Sequence, residues 1–323
     1  MRAVVQDGYG TADVLRPTEV PAPGPLRDGE VLVRVHAAGL DRGTWHLMTG
    51  TPYAVRLAFG LRRPRQPVLG LDLAGTVAEV GAAVTRFAAG DEVYGVGKGS
   101  FAEYAVARED KLAAKPAALT FEQAAAIPVS AITALHAVTD IAGVEPDQRV
   151  LVTGASGGVG SYAVQLAVAA GAEVTGVCSA GKADLVRSLG AVRVLDYAVD
   201  DFAATGERYD VIIDIAGNAS LTRLRRALTP RGTAVFVGGE GAGRLLGMGR
   251  PLRGMVVSLF SRQRLALLVS KESAADLERL TALVESGQVT PAVETTYPLE
   301  QSATAMQDLI DGRVRGKVAI TVR

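Results

Sequence analysis

The 323-residue chain carries 34 Lys plus Arg against 34 Asp plus Glu. A formal net charge of zero argues against a general polyanion binder, so nucleic acid is not an expected partner. The single cysteine, Cys178, excludes an intrachain disulfide and leaves no cysteine cluster for a structural zinc lobe. The opening residues Met-Arg-Ala-Val-Val-Gln-Asp lack the apolar stretch of a secretory signal, and no apolar run approaches the roughly 20 residues of a membrane span. The expectation is a soluble cytoplasmic protein in a reducing compartment, without integral membrane association.

In chain order, residues 1–118 are rich in short β-like runs punctuated by Gly and Pro. Residues 31–37 alternate as a half-buried strand does, and residues 75–81, 91–94 and 101–106 look similar. Several short strands with turns between them predict a small antiparallel barrel. Thr120 and Gln123 have capping-box spacing, and residues 121–127 and 130–141, on either side of Pro128, read as helices.

The run Val150-Leu-Val-Thr-Gly-Ala-Ser-Gly-Gly-Val-Gly160 is the centre of the chain. A β-branched strand stops at glycines and passes into a helical pattern, with Ala163, Leu166, Ala167 and Ala170 on one face and Gly171 as the stop. Residues 173–177 read as the next strand, which completes a βαβ unit. Its turn presents backbone N–H groups and a helix dipole to an anion such as a dinucleotide pyrophosphate. At Gly157 a side chain would block the phosphate, and at Gly160 it would push the helix off the strand. The spelling departs from G-x-G-x-x-G, because Ala155 takes the first glycine position and Gly154 lies one residue earlier.

Strands and helices then alternate: a helix at 182–189, strands at 192–195 and 210–215, a helix at 221–228 and a strand at 233–237. Continuous apolar strands imply burial on both faces, hence a parallel sheet between helices that binds ligands at its carboxyl ends. Gly217, Asn218, Gly238 and Gly239 fall at such ends, where they serve either the ligand or an ordinary turn. A sixth strand is expected at 265–269, helices at 274–285 and 299–310, and a closing strand at 317–322 that returns to the first domain.

Taken together, the glycine run, Pro128-Val-Ser-Ala-Ile-Thr-Ala134, Gly171-Ala-Glu-Val-Thr-Gly-Val, Leu189-Gly-Ala and Ala37-Ala-Gly-Leu-Asp41 resemble the medium-chain dehydrogenase/reductase superfamily, and more narrowly its zinc-independent quinone oxidoreductase branch. The resemblance implies an α/β fold, with a doubly wound parallel Rossmann sheet plus a GroES-like β-barrel catalytic domain and an active-site cleft at their junction. The GroES-like domain would take residues 1–121, the Rossmann NADPH-binding domain 122–270, and a return to the catalytic domain 271–323. Cofactor contacts are expected from Thr133, Gly154, Ala155, Ser156, Gly157, Gly158, Val159, Gly160, Ser179, Lys182, Tyr197, Gly217, Asn218, Gly238 and Gly239.

No metal site is expected. Zinc-dependent relatives carry a cysteine shortly after the first-domain glycine and a Gly-His-Glu further on, where this chain has Leu40-Asp41 and Gly70-Leu-Asp72; His36, His46 and His136 are scattered. Without a Lewis acid a simple alcohol is a hard substrate, whereas a quinone or α,β-unsaturated carbonyl is already activated. Cofactor choice turns on the end of the second Rossmann strand. An acidic residue there would select NAD, but Ser179 and Lys182 suit the 2′-phosphate of NADPH, and in the resembled branch Tyr197 matches a third contact.

The loop Asp41-Arg-Gly-Thr-Trp-His46 onward lines the cleft in the resembled branch, with an asparagine where Asp41 stands and aromatic hydroxyls near His46 and Tyr53. An ionised Asp41 only accepts hydrogen bonds, which fits tuning a neighbour better than holding an oxyanion. His46 is the candidate proton donor to an enolate, or else a packed ring beside Trp45; Tyr53 is a second donor or a wall. Two basic, partly apolar stretches, 54–65 and 244–264, read as amphipathic helices that form a lid over a bulky hydrophobic acceptor; the apolar stretches are short for peripheral membrane contact, and a plain subunit contact is the other alternative. The reading is an NADPH-dependent reductase of a small hydrophobic carbonyl or quinone, dimeric through the 265–269 edge strand. The alternatives are an alcohol/ketone dehydrogenase, a biosynthetic tailoring enzyme, or an NADPH-binding protein without turnover.

Overall fold

The computed structural model describes residues 1–238 and 249–322. These form two compact units, one of residues 1–132 with 271–323 and one of residues 133–270.

The first unit is a small barrel with appended strands. A ribbon of β1 (Arg2–Val5) and β2 (Arg16–Glu19) precedes β3 (Glu30–Leu40), helices α1 (Arg42–Thr49) and α2 (Val55–Phe59), and strands β4 (Asp72–Val80), β5 (Glu92–Lys98) and β6 (Tyr104–Ala114). Strands β3 to β6 pair antiparallel in sequence order, and β6 pairs back onto β3, which closes the barrel. The alternation read at 31–37 is the burial alternation of β3, whose Val31, Val33 and Val35 are fully buried. Helix α3 (Phe121–Ala125) has the expected capping box from Thr120 and Gln123. Helix α4 (Pro128–Leu135) follows and runs on as a wide π-type turn through residue 142.

Residues 122–132 belong to the first unit rather than to the sheet that follows. The cause is visible at Asp72 of β4, which accepts from Val129 N at 3.1 Å, and at Ser130, whose hydroxyl accepts from Lys317 Nζ at 2.9 Å. The chain returns to this unit with α9 (Ala274–Glu285), β13 (Val293–Pro298), α10 (Ser302–Ile310) and β14 (Lys317–Thr321). Strand β14 pairs antiparallel with β3, as a returning strand was expected to do. Tyr94 of β5 fixes α9 by donating to Leu277 O at 2.8 Å, and burial pushes its phenol up to about 12.

The second unit contains β7 (Arg149–Thr153), α5 (Gly158–Ala169), β8 (Glu173–Cys178), α6 (Ala183–Ser188), β9 (Arg193–Asp196), β10 (Tyr209–Asp214), α7 (Leu221–Ala227), β11 (Leu228–Phe236), α8 (Gly249–Leu259) and β12 (Arg264–Leu267). All are parallel, in the order β12-β11-β10-β7-β8-β9. From β7 the sheet grows one way through β8 and β9 and the other way through β10 to β12. That doubly wound topology has its switch point between β7 and β10.

Candidate active site

At the switch point the glycine turn is built as its sequence demands. Gly154 takes φ +69°, Gly157 N-caps α5, and the Gly157 amide donates to Gly154 O at 3.0 Å. A Cβ on Gly160 would stand 2.1 Å from Gly154 O and 2.8 Å from Ala155 Cα, so only glycine lets the helix sit this close to the turn. Gly157 is different, since a Cβ there meets only Gly154 O at 3.3 Å; the protein itself leaves room above it. Ala155 and Ser156 are buried in the turn, with the Ala155 amide bonded to Val177 O of β8. No side chain caps the start of α5. The amides of Gly158, Val159 and Gly160 therefore project from the helix end, where an anion would be received.

Beside this cradle, β8 ends at Cys178. Ser179 N-caps the single turn Ala180–Lys182, and the Lys182 amide closes it on Ser179 O at 3.0 Å. The Tyr197 amide donates to Cys178 O at 3.1 Å, and its ring is exposed. Ser179, Lys182 and Tyr197 thus cluster around one strand end. The Cys178 thiol is held up by burial first and by Asp196 second.

On the other side of the switch point, Gly217 takes φ +70°, with Asn218 next. A Cβ on Gly238 would lie 1.8 Å from Ile215 O, so β10 and β11 come together at their ends only through glycine. Gly239 lies outside the described residues. Three residues not expected from the sequence complete this edge. Asp214, fully buried, accepts from Thr153 Oγ1 at 2.9 Å and from Arg250 at 2.5 Å, while the Thr153 hydroxyl accepts from Ala216 N at 3.2 Å. Arg250 of α8 also donates to Ala219 O at 2.8 Å and stacks over Phe236. Thr133 lies on α4 at the start of this unit.

In the first unit the candidate loop is a helix. Asp41 N-caps α1, its Oδ1 accepting from the Thr44 amide at 2.8 Å and from the Thr44 hydroxyl at 3.0 Å. His46, one turn on, donates from Nδ1 to Thr51 O at 2.5 Å and tilts against Trp45. A carbonyl can only accept, so the neutral ring carries its proton on Nδ1, and Nε2 holds one only in the imidazolium. Tyr53 is 41% exposed, and the Arg56 guanidinium lies 4.7 Å from its ring centre and 4.5 Å from that of Tyr9. His36 is elsewhere, stacked on Phe121 and bonded to Thr76 Oγ1.

Beneath Asp41 is a buried polar group that sequence reasoning missed. Lys317 Nζ donates to Leu40 O at 3.3 Å and to Ser130 Oγ, 4.0 Å from Asp72 Oδ2. Asp41 Oδ2 and Asp72 Oδ2 are buried without a hydrogen-bond partner among the described residues. Burial, and then the Asp41 charge, hold the Asp72 carboxyl well above the usual carboxylate range, against the pull of Lys317.

Comparison with known proteins bears on both units. Residues 27–117 match the family model of the alcohol dehydrogenase GroES-like domain, and residues 189–320 match that described as zinc-binding dehydrogenase. The chain is 34% identical over 335 aligned residues to the chloroplast envelope quinone oxidoreductase homolog of Arabidopsis thaliana, covering 99% of this chain and 98% of that protein. It superimposes on the quinone oxidoreductase from Coxiella burnetii with TM-score 0.87 at 28% identity, covering 100% of this chain and 99% of that one. The Escherichia coli quinone oxidoreductase complexed with NADPH gives TM-score 0.83 at 25% identity, with both chains covered in full.

Proposed function

The chain belongs to the medium-chain dehydrogenase/reductase superfamily, in its quinone oxidoreductase-like branch, and from that premise we propose that it is an NADPH-dependent, zinc-independent reductase of quinones and enones. The observation that carries the cofactor half is the turn at the switch point, where Gly160 leaves no room for a Cβ and the α5 amides face outward. Ser179, Lys182 and Tyr197 around the end of β8 support the phosphorylated dinucleotide, since a hydroxyl and a cation suit a 2′-phosphate. The E. coli protein named above, solved with NADPH, supports the same choice.

A zinc ion does not suit the first unit's polar group. The residues there are two carboxylates without a cysteine or histidine, and the Lys317 ammonium already supplies the positive charge beside Asp72. No step is therefore assigned to a metal.

A bound nicotinamide supplies the hydride. The protein's part is to hold the dinucleotide on the α5 amides and to deliver a proton to the enolate left by hydride addition. His46 fills that role as imidazolium, giving up the proton from Nε2 while Nδ1 stays anchored on Thr51 O. Asp41 is committed to capping α1, and so acts by fixing the helix that carries His46. A screen of NADPH and NADH oxidation over quinones, enones and aldehydes tests the reading. Turnover of quinones or enones with NADPH preferred supports it; binding without oxidation of any acceptor replaces it with a sensor.

A further inference from the structure

Lys317 opens β14 in the interior of the first unit, with 1% of its side chain exposed. Four chain segments meet at its ammonium: β14 itself, the end of β3, the first turn of α4 and the start of β4. Nζ donates to Leu40 O and to Ser130 Oγ, and faces Asp72 Oδ2. The surroundings are tight. A Cβ on Gly39 would stand 2.3 Å from Ala125 O and 2.8 Å from Asp72 Cβ, and one on Gly43 would stand 3.2 Å from Asp41 Oδ1.

A buried ammonium is a poor device for stability alone. Taking it out of water is costly, its attraction to a carboxyl offsets that cost only in part, and a methionine would fill similar space with neither effect. What the ammonium adds is a fixed position for a carbonyl. Leu40 is the last residue of β3 and pairs with Val318 of β14. The next residue, Asp41, leaves the strand and N-caps α1. The Leu40 carbonyl therefore stands where strand becomes helix, and Lys317 holds it from the neighbouring strand.

The helix that starts there carries His46 five residues beyond Asp41. That is about 8 Å along the axis, so a tilt of about 8° at the start displaces the ring by about 1 Å. Misplacing a reacting group by that much costs about a hundredfold in rate. Thr51 O fixes how the ring is turned, whereas the start of α1 fixes where the helix lies.

We infer that Lys317 is a positioning residue of the reductase: through Leu40 O its ammonium sets where α1 begins, and so where His46 stands relative to the acceptor. The inference rests on the proton-donor role proposed above for His46. Lys317 itself, at 1% exposure, is out of reach of an acceptor.

Steady-state kinetics with an enone and NADPH test it on the full chain, comparing wild type, Lys317→Met, His46→Ala and the double variant. Lys317→Met keeps most of the side-chain bulk and removes the donor, so kcat should fall about 100-fold with NADPH affinity unchanged. In the double variant kcat should equal that of His46→Ala, because a donor already absent cannot be misplaced. A role in the fold alone would multiply the two losses. Nuclear magnetic resonance of carbon-13-labelled histidine gives a readout without any acceptor, since the chain has three histidines. The ring signal missing from His46→Ala should be displaced in Lys317→Met. Lys317→Gln, whose amide keeps the cavity polar yet ends one bond short of Leu40 O, guards against a methionine variant that does not fold and should be as slow. A normal kcat in Lys317→Met overturns the inference, as does an unmoved His46 signal or the failure of both Lys317 variants to fold. If His46→Ala turns over normally, the proton-donor reading fails and this inference with it, whereas a slow His46→Ala beside multiplying losses overturns the inference alone.

Discussion

Lys317 Nζ and Asp72 Oδ2 lie 4.0 Å apart in the interior of the first unit, and each side chain is 1% exposed. The carboxyl of Asp72 is raised by burial and by Asp41, and is drawn down less by Lys317 and the Val129 amide; Glu272 adds a small push upward. A carboxyl raised in the folded state contributes stability that is present below the ordinary carboxylate range and lost as pH rises through the folded value. Asp72→Asn, neutral at every pH, should therefore melt within a few degrees of wild type at neutral pH and should lack wild type's loss of stability on raising the pH. Asp72→Ala leaves a hole and the Val129 amide without its acceptor, at a cost of about 1–3 kcal/mol. Melting curves of the three proteins across pH decide it. If Asp72→Asn is as damaging as Asp72→Ala, with an unchanged pH profile, the carboxyl is ionised in the fold.

Cofactor preference should follow Lys182. Removing a charge-assisted hydrogen bond to a phosphate costs about 1.5–3 kcal/mol, or roughly tenfold or more in affinity. Lys182→Ala should lose that much for NADPH and little for NADH in fluorescence titrations. Equal losses for both would place Lys182 in the fold of the Ala180–Lys182 turn rather than on the phosphate.

Cys178 should be inert in the native protein. The thiol is 2% exposed and its ionisation is opposed by burial and by Asp196, so little thiolate forms near neutral pH. Reaction with a chromogenic disulfide should be slow in buffer and should go to one equivalent in denaturant. Fast native labelling would mean that the end of β8 opens.

The glycine turn was legible because its constraint is local: Gly154 and Gly160 are required by backbone geometry within seven residues of sequence. The parallel sheet was legible for a similar reason, since strands such as β10, buried on both faces, read as continuous apolar runs. The strand pair β1 and β2 was not, because every residue of β2 is exposed and carries no alternation. Helix α1 was read as a loop although Asp41 is a good N-cap residue, because Gly43 and Thr44 in its first turn weaken the helical pattern. The pairs Lys317 with Asp72 and Arg250 with Asp214 had no local signal at all. A lysine opening a strand and an arginine in a basic stretch both read as surface, and only tertiary folding brings residues 245 and 36 positions apart into contact.

The proton needed after hydride addition separates the roles of His46 and Tyr53. Nδ1 of His46 is spent on Thr51 O, so the transferable proton sits on Nε2 and exists only while the ring is cationic. General acid catalysis is worth about 10²–10⁴-fold, whereas loss of a packing ring acts on stability or on acceptor affinity. His46→Ala should therefore lower kcat with an enone by that order while leaving NADPH affinity intact, and wild-type kcat should fall as the pH is raised and the ring loses its charge. His46→Gln keeps a donor toward Thr51 O without a titrating proton, so it should hold α1 in place yet remain as slow as alanine. Tyr53 is half-exposed with Arg56 stacked on its face, so Tyr53→Phe should change KM for a bulky acceptor more than kcat. Steady-state kinetics of the three variants across pH distinguish the cases. A crippled Tyr53→Phe beside a normal His46→Ala exchanges the two roles, and normal kcat in all three makes solvent the proton source.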